Sequence, residues 1–187
     1  GLAAALADQG AWRQEIATLH VLAEQAVEEP AAWREHVDAI VAAAERAQVP
    51  HLATVALERR VIAEPTDALA ARALAGRYVA DGNHDAAYEV LEHAAAHATG
   101  AERRSLIAEL ATTNAADDAH ARFDLARRLA VLDPNDDLAA LRAAADACGR
   151  WRSYIEFVRD RLAEATPASV EALTNELIET LSTHGPD

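Results

Sequence analysis

An all-α array of antiparallel helix pairs is the fold class this sequence predicts, and three observations carry it. Alanine fills about a quarter of the 187 positions while aromatics make up 4%. That balance favours closely packed helices, since Ala is the best helix former and strands draw on β-branched and aromatic residues. Only seven Gly and six Pro punctuate the chain, at spacings suited to helices of a few turns. One stretch, residues 69–99, reads as a complete helix-turn-helix, with Leu74, Ala75 and Tyr78 on one helical face and Asp81-Gly82-Asn83 as the turn. The helix that follows presents Ala87, Tyr88, Leu91, Ala94 and Ala95 along one side. Small residues at Ala75, Ala87 and Ala94 let two helices approach closely, and Tyr78 and Leu91 fill the remaining volume.

With Gly82 as a register mark, the same pattern recurs around Gly10 and Gly149. Leu2, Leu74 and Leu141 precede the three glycines at one offset, Leu6, Tyr78 and Ala145 at a second, and Leu19, Leu91 and Val158 follow at a third. Trp12, His84 and Trp151 stand two positions after each glycine, and the glycines are 72 and 67 residues apart. A second signature joins the intervening segments: Leu57-Glu58-Arg59-Arg60-Val61 ahead of Pro65, and Leu125-Ala126-Arg127-Arg128-Leu129 ahead of Pro134. Together these residues resemble the tetratricopeptide repeat, a helical pair of about 34 residues. The resemblance implies a right-handed superhelical solenoid in a single domain spanning residues 1–187. Its repeats would be 1–30, 31–65, 66–99, 100–134 and 135–166, with a terminal helix at 167–183.

Taken in order, residues 2–9 read as the remnant of a first helix, with residues 12–28 as its partner beyond a turn at Gly10. Residues 31–47 bury Val37, Ile40, Val41 and Ala44. Pro50 starts the next helix, running to about residue 64, with its ring in the first turn where no backbone donor is needed. Thr66 or Asp67 caps the helix that contains Leu74. Thr99 and Glu102 make a capping box for a helix burying Leu106, Ile107 and Leu110. Asp117 or Asp118 opens a helix to Leu132, Asp136 opens another to Ala147, residues 151–165 complete the fifth pair, and Pro167 starts the last helix. The total is roughly eleven helices joined by short loops. The chain begins inside one repeat and ends halfway through another, so the expectation is either a longer parent protein or self-association through an exposed end.

Composition narrows the function classes. The 31 carboxylates against 17 arginines, with no lysine, set a net charge of −14, and such a surface repels a phosphate backbone, so no nucleic-acid role is expected. No apolar run is long enough for a membrane span. The single Cys148 cannot form an internal disulfide and reads as a small core residue; it leaves the compartment open, with the cytoplasm favoured.

Candidate chemistry is sparse. His93 and His97 lie four apart near Glu89 and Glu92, a spacing that can hold a transition metal, but no second pair of ligands accompanies them. Asp133, Asp136 and Asp137 lack the glycine and distal glutamate of a calcium loop. No motif sets a nucleophile beside a base and no glycine-rich phosphate loop occurs, so neither a catalytic residue, a metal nor a cofactor is expected. The paired arginines recur beside acidic neighbours, which fits ion pairs and stems laid over the core.

In the tetratricopeptide family the first helix of each repeat lines a concave groove that holds peptides. By that resemblance the lining here is Glu35, Asp38, Ala42 and Glu45, then Arg72, Gly76 and Val79, then Ile107, Ala111 and Asn114, then Ala139, Ala143 and Asp146. The chaperone-binding members hold a C-terminal carboxylate with paired Lys and Asn, and this chain has no Lys. The function so implied is a non-catalytic scaffold that binds a peptide or partner protein in its groove. The alternatives are a regulatory or sensory repeat module of a larger enzyme or transcription regulator and, from another class, a metal-binding helical enzyme.

Overall fold

The computed structural model describes residues 2–113, 118–132 and 138–184. Among them the chain forms ten α-helices and no strand: α1 (Leu2–Gln25), α2 (Pro30–Arg46), α3 (Pro50–Ala63), α4 (Ala68–Ala80), α5 (His84–His97), α6 (Gly100–Thr113), α7 (Ala119–Leu132), α8 (Ala139–Cys148), α9 (Trp151–Ala163) and α10 (Pro167–His184).

The helices start where local chemistry supplies a partner for orphaned amides. Pro30 and Pro50 occupy the first turns of α2 and α3, where a missing donor costs nothing. The Asp67 carboxylate accepts from the Ala70 amide at 3.0 Å, so Asp67 rather than Thr66 caps α4. Asn83 caps α5 through the Ala86 amide at 3.2 Å, and Asp118 caps α7 through the His120 amide at 2.8 Å. The proposed caps Asp117 and Asp136 lie outside the described residues. Glu102, expected in a capping box, sets Oε1 2.6 Å from Arg72 Nη1.

Three of the helix ends share one device. Gln48, Gly82 and Gly149 each adopt a left-handed conformation, with φ of 57°, 76° and 69°. The next amide then folds back on a carbonyl five residues earlier: Val49 to Ala44, Asn83 to Tyr78 and Arg150 to Ala145. The three turn residues are 34 and 67 positions apart.

Gly10 is not part of this series, which corrects the sequence-based expectation. α1 runs through it without a break, and the count is therefore ten helices rather than about eleven. A single glycine inside a helix costs only about 1 kcal/mol. Gln9 and Ala11 beside it are good helix formers, whereas Gly82 is followed by Asn83, whose side chain begins a new helix.

Two compact units make up the chain, Gly1–Leu106 and Ile107–Asp187. In the first, α1 packs on α2, α2 on α3, α3 on α4 and α4 on α5. Ile16, Val37, Ile40, Ala43, Ala44, Ala53 and Ala56 form one core there, edged by Trp12 and Trp33. In the second, α7 packs on α8, α8 on α9 and α9 on α10. Its core is built on Phe123, Leu141, Ala145, Tyr154, Phe157 and Val158, with Trp151, Leu173 and Leu177 against it.

Candidate functional site

The residues named as a groove lining fall into three groups. Glu35, Asp38, Ala42 and Glu45 share the exposed side of α2, and Gly76 and Val79 are exposed on α4. Several of these charges are already engaged. Asp38 takes a guanidinium hydrogen bond from Arg60 of α3, and Glu45 takes one from Arg77 of α4. Half-buried Arg72 sets Nη1 on Glu102 and donates through Nη2 to the Ser105 hydroxyl at 3.0 Å, both on α6.

These contacts extend into a ladder. Arg46 of α2 reaches Glu15 of α1 at 2.6 Å, and Arg34 of α2 meets Glu64 at the end of α3. Arg60 also meets Asp67 at 2.6 Å. Burial by itself pushes the Asp67 carboxyl up, but the Ala70 amide, Arg60 and the Leu69 amide outweigh it and hold the pKa below its usual value. In the second unit, Arg142 of α8 pairs with Glu176 and Glu179 of α10 at 3.4 and 2.6 Å, and the Arg142 contact lowers the Glu179 pKa. Guanidiniums thus join α2 to α4, α4 to α6 and α8 to α10, one helix stepping over its neighbour each time. Such half-exposed pairs contribute little energy individually, so their value is in fixing register.

Ile107, expected in the groove, is 1% exposed and presents nothing to a ligand. The pattern of Leu106, Ile107 and Leu110 already marked it as a core residue, and burial wins. Asn114 lies outside the described residues. Ala139 and Asp146 are exposed on α8.

Ala111 and Ala143 are brought together. They line a cleft of about 340 Å³ between the end of α6, α7 and α8, whose walls continue through Ala126, Leu129, Ala140 and Ala147. Among its described lining residues Arg122 supplies the one charge. A wall of methyl groups leaves room for a larger side chain to enter from outside.

His93 and His97 are both exposed, their ring centroids lie 4.5 Å apart, and His97 Nδ1 is 2.9 Å from the His93 carbonyl oxygen. Among the described residues no group of three or more His, Cys, Asp or Glu is gathered closely enough to hold a metal ion. Cys148 is half-buried beside the second core. No described helix is long and apolar enough to cross a membrane.

Two polar features escaped the sequence. Tyr78 donates to Glu58 at 2.5 Å, and burial together with that carboxylate pushes its phenol up to about 12. Tyr154, fully buried, donates to Glu176 at 2.6 Å, while Thr180 donates to the Glu176 carbonyl at 2.8 Å. Pairings between helices leave no periodic signal along one helix, so only the assembled packing reveals them. Compared with family models, curated proteins and solved structures, the chain matches none.

Proposed function

We propose that the chain is a helical-repeat scaffold of the tetratricopeptide kind, a right-handed solenoid with no catalysis of its own, and that it binds a segment of a partner protein. The alanine-walled cleft carries the reading: two residues chosen as groove lining, Ala111 and Ala143, share a concave surface open to an apolar side chain. Three left-handed turns spaced by multiples of about 34 residues support the repeat assignment. So does packing within each unit, where α1 to α5 and α7 to α10 rest on their chain neighbours, with arginines reaching one helix further.

The test is affinity capture at two salt concentrations with the wild-type chain and with Ala143→Glu. Position 143 is exposed and helical, so a glutamate there keeps the fold while setting a charge in the cleft. A partner held by wild type and lost with Ala143→Glu, at unchanged circular dichroism, supports the groove. Identical captures by the two folded proteins remove it. Arg72→Glu is a poorer probe, since Arg72 bridges α4 to α6.

A further inference from the structure

A second cavity, of about 350 Å³, opens in the Ile107–Asp187 unit between α7, α9 and the first two turns of α10. It shares Ala130 with the alanine cleft, but its chemistry is different. Phe157, Ala130 and Leu173 supply apolar walls, and four charges stand around them: Arg127 of α7, Asp160 and Arg161 of α9, and Glu164 just past the end of α9. Both guanidiniums sit over the same aromatic ring, with their central carbons 6.0 Å (Arg127) and 5.9 Å (Arg161) from the Phe157 centroid. Arg127 is exposed and forms no ion pair among the described residues.

That lining selects against simple ligands. A lone anion drawn to the two guanidiniums meets the carboxylates of Asp160 and Glu164, which offset the attraction. A purely apolar molecule would leave these charged groups unmatched. A zwitterion meets both demands, since its carboxylate matches the guanidinium forks and its ammonium matches the carboxylates. The volume lies near the lower end of small-molecule sites, about 300 Å³, and is enough for one small molecule.

We infer that this cavity binds a free α-amino acid with an apolar side chain. Its carboxylate rests on Arg127 and Arg161, its ammonium on Asp160 and Glu164, and its side chain on Phe157 and Leu173. The site is independent of the protein-docking cleft, so either can fail without the other.

Isothermal titration of the full chain with L-leucine, N-acetyl-L-leucine, L-leucinamide and inorganic phosphate tests it. Leucine is expected to bind with a Kd of about 1 mM or tighter, and each blocked analogue about tenfold more weakly, the equivalent of one lost charge contact. Arg127→Gln, at an exposed position, weakens leucine by about tenfold, and Asp160→Asn abolishes the preference for leucine over its N-acetyl form. Absence of saturable leucine binding by folded wild type overturns the assignment. Phosphate binding as tightly as leucine, or an unchanged affinity in Arg127→Gln, overturns it equally.

Discussion

The α4–α5 hairpin and the α8–α9 hairpin turn in the same way and pack in opposite ways. Each pair is joined through a left-handed glycine, Gly82 in one and Gly149 in the other, with the same backfolded amide after it. In α4–α5 the buried positions are mostly methyl groups, Ala71, Ala75, Ala87, Ala94 and Ala95, with Leu74 and Leu91 between them. In the α8–α9 pair Tyr154 and Phe157 face Leu141 and Ala145, and Phe123 of α7 joins the same core. One turn geometry therefore serves two kinds of interior. The first is filled by methyl groups, which permit close approach of backbones, and the second by large rings.

That contrast predicts opposite sensitivities to side-chain size. The largest effect is expected from Phe123→Ala in the aromatic core, where a fully buried ring is lost and the surroundings collapse only in part. Its cost should be about 3–5 kcal/mol by denaturant unfolding. Next comes the enlargement of the alanine seam: Ala87→Leu, at a position with no exposed surface, should cost about 1–3 kcal/mol through overpacking. If Ala87→Leu is neutral or stabilising, the α4–α5 pair is not held at close approach and the distinction between the hairpins falls.

Much of this was legible along the chain, and the exceptions have physical reasons. The α4–α5 hairpin was readable because its apolar period, its Asp81-Gly82-Asn83 turn and its Asp67 cap all agree. Prolines 50 and 167 marked helix starts because proline is tolerated there and nowhere deeper. Gly10 misled because glycine permits a turn without requiring one. Gln48 was invisible for the converse reason: it holds the same left-handed turn as Gly82 and Gly149, yet glutamine carries no preference for that region. With Gln48 in place of Gly10 the first spacing shortens from 72 residues to 34. Of the groove residues, Ala111 and Ala143 meet at one cleft while Ile107 is interior, because an apolar residue near a face boundary fits either side until its neighbours are known. Small apolar surfaces carry no chemical signature of a partner, so the proposed docking role rests on resemblance rather than on any one side chain.

The turns allow a sharper comparison at smaller cost. Gly82→Ala should destabilise by about 1 kcal/mol, since a Cβ strains the left-handed region even though space around Gly82 is open. Gln48→Gly should do the reverse and stabilise by up to about 1 kcal/mol, because it relieves the same strain where the native residue bears it. Opposite signs at the two sites would show that α2–α3 and α4–α5 close through one device; a loss at both would show that the Gln48 side chain contributes more than its backbone costs.

The smallest effect concerns the hydroxyl that ties α4 to α3. Tyr78 has its phenol raised from 10.0 to about 12 by burial and by Glu58. Between those values the unfolded chain releases a proton that the folded chain keeps, so stability falls as pH rises through the window. Below about pH 10 the contact contributes fully, at about 1 kcal/mol for one hydrogen bond to a charged acceptor in a half-exposed setting. Tyr78→Phe should therefore be less stable than wild type near neutrality by that amount, and the gap should close between pH 10 and 12 in denaturant titrations. A gap that stays constant across the window would mean that the difference arises from ring packing in the alanine seam and not from the Glu58 contact, which would place Tyr78 with the space-filling aromatics of the second unit.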